Sequence, residues 1–77
     1  MLDTTNMREE YSLLAPVALK VGVPEHGLIV GQVGTIVEKL DRNVFEVEFS
    51  DDNGIAYAMA ALPADSLIGL HYSPVAA

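Results

Sequence analysis

Val44–Leu62 reads VFEVEFSDDNGIAYAMAAL. Its first half alternates strictly, Phe45, Val47 and Phe49 against Glu46 and Glu48, which is the period-two signature of a half-buried β-strand. Its second half, Ile55–Leu62, is apolar and uncharged, and the intervening Asp51-Asp52-Asn53-Gly54 is strong turn chemistry. The stretch is therefore a β-hairpin. With those four residues as the loop, Ser50 faces Ile55, and the register sets Phe49 opposite Ala56, Val47 opposite Ala58 and Phe45 opposite Ala60. Large side chains then meet small ones, which is how a tightly curved inner face is filled. On the outer face, Glu48 lies opposite Tyr57 and Glu46 opposite Met59. A slip of one residue would turn the glutamates inward, so the choice of faces is firm.

Working outward, Gly, Pro, Asn and Asp divide the rest of the chain into similar short stretches. Pro16–Gly22 (PVALKVG) alternates, with Val17, Leu19 and Val21 on one face. Val33–Leu40 (VGTIVEKL) is rich in β-branched residues, and Leu67–Tyr72 (LIGLHY) ends the series. Five short strands at this spacing predict an all-β fold, a single small barrel. Ahead of them, Asn6–Ala15 is expected to be one or two helical turns or irregular, with Tyr11, Leu13 and Leu14 as its apolar side and Pro16 as its stop. The connection Gly22–Gly31 is long for a small barrel, where such loops are functional or pack against the open end. Asp41-Arg42-Asn43 reads as a tight polar turn, and Pro63–Ser66 suits a single 3₁₀ turn. No repeat or linker divides the chain, so the expected organisation is an extension over 1–12, one domain over 13–72 and a tail over 73–77.

Composition limits what such a domain does. The chain has 77 residues, 51% of them apolar, with 11 Asp and Glu against 4 Lys and Arg and no Cys. A domain this short buries only about 60% of its unfolded surface, which leaves one compact core and no cleft between domains. Without Cys there is neither a disulfide framework nor a thiolate zinc site. A formal charge of −7 disfavours phosphate backbones, whose attraction depends on cationic side chains. The first twelve residues contain Asp3, Glu9 and Glu10 and no apolar run, unlike a secretory signal. No uncharged stretch, Gly54–Ala64 included, approaches the ~20 residues that span a bilayer. The expectation is a cytoplasmic protein.

The order strand, long loop, three-strand meander, 3₁₀ turn and final strand is that of an SH3-like small barrel. PEHGL (Pro24–Leu28), GQVGTIVE (Gly31–Glu38), FEVEFSDDNG (Phe45–Gly54), then YAM followed by LPADSL, resemble the bacterial family known as domain of unknown function 4926. The resemblance runs from about Leu14 to Leu70. It implies a stand-alone bacterial protein with an SH3-like barrel and no established activity, of a kind often found beside toxin genes. Gly31-Gln32-Val33-Gly34-Thr35-Ile36-Val37 is also similar, more loosely, to the glycine motif of ribosome- and polymerase-associated barrels. There the glycines present backbone to RNA, whereas any small barrel needs glycine to turn sharply at such a point.

Catalytic and metal-binding chemistry finds little support. His26 beside Glu25 lacks the further ligands that a metal site needs, and His71 stands near the exit from the last strand. Asp51–Gly54 begins like a calcium loop, but the twelfth position, where the closing glutamate belongs, is Leu62. Glu46 and Glu48 point outward from a barrel too small to flank a substrate. Ser12, Ser50, Ser66 and Ser73 have no His and Asp at recognisable spacing. No enzyme activity, metal or cofactor is expected.

The surface that remains is the outer face of the hairpin, Glu46, Glu48, Tyr57 and Met59. Tyr is enriched in interface hot spots, Met adapts to a partner's shape, and glutamates steer a basic partner. Residues 38–52 alone carry six carboxylates against two cations. These residues are the expected partner-binding site, unless the N-terminal segment folds over them through Tyr11, Leu13 or Leu14. The expected function is a non-enzymatic protein-binding module, an antitoxin- or immunity-like partner of a basic protein, with self-association through the same face as another use. The alternative is an RNA- or ribosome-associated barrel, for which only Arg8, Lys20, Lys39 and Arg42 are available to meet phosphates.

Overall fold

The computed structural model describes residues 11–71. Five strands, β1 (Pro16–Leu19), β2 (Val33–Asp41), β3 (Val44–Ser50), β4 (Ala56–Pro63) and β5 (Leu67–Gly69), form one antiparallel sheet in the order β4-β3-β2-β1-β5. The all-β expectation holds, and among the described residues there is no α-helix. No pairing among them joins β4 to β5, so the architecture is a five-stranded sheet whose edges are those two strands. Residues 11–15 are irregular, with a turn at Leu13-Leu14 in which Leu14 takes a φ of 68°. Residues 6–10 of the expected helical segment, the rest of the extension and the tail lie outside the described residues.

Alternation puts one face of each strand inside. Val17 and Leu19 of β1, Ile36 of β2, Phe45, Val47 and Phe49 of β3, Ala60 and Leu62 of β4 and Leu67 of β5 make one buried cluster. Among the described residues no second layer covers this face, so a cluster this well buried requires the sheet to coil around it. Coiling brings side chains of different strands onto the same axis, and glycine makes room for them. A Cβ on Gly34 would stand 2.6 Å from Val47 Cγ1 and 2.9 Å from Phe49 Cε2, so the missing side chain is where those two pack. Two register shifts in β2, between Ile36 and Glu38 and between Lys39 and Asp41, mark bulges, which bend a long strand around a small core.

The long connection between β1 and β2 packs against the end of the core. Val23 and Leu28 exchange backbone hydrogen bonds of 2.9 and 3.1 Å around a 3₁₀ turn at Pro24–His26, which Gly27 ends in the left-handed region. This small loop drives Leu28 into the buried cluster. The expected first strand is longer than β1, which stops at Leu19 when the Lys20 N–H turns to donate to the Ser66 carbonyl. Val21, expected on the inner face with Val17 and Leu19, is therefore exposed.

The hairpin register differs from the expected one by two residues. Phe49 faces Ala58, Val47 faces Ala60 and Phe45 faces Leu62. The cause lies in the loop. Asp51 Oδ1 accepts hydrogen bonds from the N–H groups of both Asn53 and Ile55, each at 2.9 Å, and the Asp51 N–H donates to the Ile55 carbonyl. Ile55 is thereby held in the loop instead of pairing with Ser50, which faces Ala56. A shift in register between Phe49 and Ser50 then leaves Tyr57 as the extra residue of a bulge. A two-residue change preserves faces, so Phe45, Val47 and Phe49 stay inside as expected.

Candidate functional site

The outer face of β3 and β4 carries Glu46, Glu48, Tyr57 and Met59, but in a different arrangement from the expected pairs. Glu48 lies opposite Met59, with Thr35 of β2 on its other side. Glu46 lies opposite Ala61, with Glu38 of β2 on its other side. The expected pairings of Glu48 with Tyr57 and of Glu46 with Met59 are therefore corrected by the bulge and the longer loop. Both glutamates are half-buried by their neighbours, while Tyr57 and Met59 are 50% and 45% exposed. Glu38 directly across from Glu46 is a like-charge pair, an arrangement that weakens a sheet by itself and favours a cation beside it.

Tyr57 is fixed in place by a residue far away in sequence. Its hydroxyl accepts a 2.9 Å hydrogen bond from Gln32 Nε2, and Gln32 Oε1 accepts one of 2.9 Å from the Ile29 N–H. The side chain at the bulge is thus tied to the long loop that Leu28 anchors in the core. The residues close to this tie in the chain, Ile29, Val30 and Val33 near Gln32 and Ile55 near Tyr57, are exposed and apolar. The sequence reading missed Gln32, Ile29, Val30, Val33, Ile55 and Glu38 as neighbours of the site. Only the alternation that puts Ile36 inside gave a signal, because it also turns Val33 outward.

The described part of the N-terminal segment does not cover this face. The Tyr11 ring meets Phe45 edge-on at 5.5 Å, and its hydroxyl donates to the Leu67 carbonyl at 3.2 Å, on the inner side and near β5. Leu13 and Leu14 are exposed. A shallow groove of about 260 Å³ runs beside Tyr11, lined also by Ser12, Ala15, Pro16, Gly69, Leu70 and His71. Ser12 and His71 both stand at its open rim.

The remaining residues considered for chemistry have structural settings. Asp51 Oδ1 is engaged by the loop that it closes. His26 is exposed on the 3₁₀ turn, where its backbone N–H donates to Val23. Gly31 takes a φ of 91°, and Gly34 is required by packing, so each glycine of the Gly31–Val37 motif has a role within the fold. Among the described residues no three His, Asp or Glu side chains gather as a metal site, and no helix is long and apolar enough to cross a membrane.

Fold and surface together define a small all-β domain built as one antiparallel sheet, with an acidic and aromatic outer face. The family model of domain of unknown function 4926 matches residues 13–69, and the chain belongs to that family. Neither a curated protein nor a solved structure gives a significant match to it.

Proposed function

We propose that this domain is a non-enzymatic protein-binding module of the bacterial cytoplasm whose outer hairpin face receives a basic partner, in the manner of an antitoxin or immunity protein. The observation that supports it most directly is the setting of Tyr57 and Met59. Both are half-exposed on a strand pair whose opposite face buries Phe45, Val47, Phe49, Ala60 and Leu62, and Glu48 lies directly across from Met59. A rigid aromatic and a flexible thioether beside carboxylates is the composition of an interface anchor, since burying the apolar atoms supplies affinity while the charges steer approach. The charge excess in residues 38–52 lies on this hairpin and its turns.

The test is co-purification with the product of the adjacent gene. A basic, growth-inhibitory neighbour should bind, and Tyr57→Ala combined with Met59→Ala should weaken the complex at least tenfold, ~1.4 kcal/mol, with an unchanged far-UV spectrum. Binding that the double substitution leaves unchanged removes the hairpin face from consideration. The alternative of an RNA- or ribosome-associated barrel loses weight because packing accounts for Gly34. Structured RNA bound at near-physiological salt, with affinity falling steeply as salt rises, would restore it.

A further inference from the structure

β4 is the longer edge of the sheet, and it has few of the features that keep edge strands from pairing with other chains. Those features are short length, Lys or Pro on the strand, inward-pointing charges, a bulge, or a covering segment. β4 is eight residues long and has no charged side chain. Its protection is confined to its ends, the bulge at Tyr57 and Pro63, leaving Ala58–Leu62 between them as regular strand. Among the described residues β3 pairs with one side of it and nothing with the other.

The side chains behind this edge indicate what would fit. A strand added to β4 lies about 4.8 Å from it and about 10 Å from β3. Across from Ala61 the way to β3 is open, because Ala61 is small, and behind it stands Glu46 with Glu38 facing it. A Lys or Arg on the added strand opposite Ala61 has the length to pass over the Ala61 methyl and reach Glu46. Two residues along on the same face, Met59 stands in front of Glu48 and offers an apolar contact instead. A second copy of this chain fits poorly at the same edge. It would bring another charge of −7 and a second set of glutamates towards the first.

We infer that β4 accepts an extended segment of a basic partner as a sixth strand, with main-chain hydrogen bonds to the free edge and a cation opposite Ala61 directed at Glu46. The inference rests on the reading of the hairpin face as a protein-binding surface and specifies how the partner engages it. Affinity in such a complex comes from the backbone ladder, and selectivity from the alternate side chains.

The probe is a capped seven-residue peptide of alternating Val and Arg, with a Val and Glu counterpart, added to the full-length protein labelled for NMR. The Arg peptide should slow amide exchange at alternate β4 residues on the order of tenfold when present at ten times its Kd, because only the free fraction exchanges. The Glu peptide should have no effect. Ala61→Lys should abolish the protection, and Glu46→Gln should weaken binding severalfold, in proteins whose spectra otherwise match the parent. If the Arg peptide shifts Glu46, Glu48, Tyr57 and Met59 but leaves β4 amide exchange unchanged, strand addition is wrong while the face still binds. No response anywhere on the hairpin also overturns strand addition, and the face reading is then decided by the adjacent-gene experiment alone. Concentration-dependent dimers with β4 amides protected in the absence of peptide would assign the edge to a second copy and overturn the inference.

Discussion

The sheet has two edges, and they are built on opposite principles. β5 is three residues long, and the N-terminal segment lies against it. The Tyr11 hydroxyl engages a β5 carbonyl, and its ring lies where a side chain on Gly69 would be, 3.1 Å from the position of a Cβ there. β4 is eight residues long and has no comparable cover among the described residues. Closing an edge therefore takes a dedicated aromatic side chain, a glycine to receive it and a chain path that brings the two together. An edge without these pieces is either a liability or a place of contact. The family match spans both edges but begins at residue 13, so Tyr11, which closes one of them, lies just outside the matched stretch.

The comparison predicts that the closed edge is the more sensitive of the two. Tyr11→Ala removes the edge-on contact with Phe45, the hydrogen bond to Leu67 and the cover over Gly69 at once. The expected loss is about 2–4 kcal/mol. In a domain of this size that lowers the melting temperature by roughly 10 °C or more. A loss below half a kcal/mol in urea titration would mean that the β5 edge is held by something else.

A smaller effect tests the register of the open edge. Asp51→Ala takes the shared acceptor away from the Asn53 and Ile55 N–H groups. Both are exposed and can turn to water, so the cost is about 1 kcal/mol. If that carboxylate is what holds Ile55 in the loop, cross-strand proton contacts in the variant should include a population with Ser50 opposite Ile55. Unchanged contacts would shift the cause of the register to Phe45 and Leu62 packing inside.

This hairpin also shows how far the sequence can be read. Phe45, Val47 and Phe49 against Glu46 and Glu48 leave no doubt about which face is inside, because a period of two distinguishes the faces. The same period is blind to a shift of two, and the turn residues admit more than one loop length. The choice is made by the Asp51 carboxylate through hydrogen bonds that no pattern of hydrophobicity contains. Leu28 is a similar case. Nothing in PEHGL alternates, and Leu28 enters the core only because Val23 and Leu28 close a small loop around a 3₁₀ turn. At the site, Glu46 and Glu48 could be put on the outer face with Met59, but not Glu38 opposite Glu46, which depends on a bulge in β2, nor the bond from Gln32 to Tyr57. Both of these depend on how separate strands are set against one another, and composition and spacing carry little information about that.

The smallest expected effect on stability belongs to the open edge. Ala61 is exposed, contributes a single methyl and faces Glu46 across the pair. Ala61→Lys should change stability by no more than about 0.5 kcal/mol, since an exposed substitution away from core, caps and turns rarely does more. The lysine also stands beside two facing carboxylates, Glu46 and Glu38, and relieves part of their repulsion, which offsets the lower strand propensity. Its effect should appear in association instead. A lysine on an edge strand resists pairing with any other strand, and here it also occupies the place of the partner's cation. If denaturation shows instead a loss above 1 kcal/mol, Ala61 is packed against some part of the chain, and β4 is not the open edge that separates it from β5.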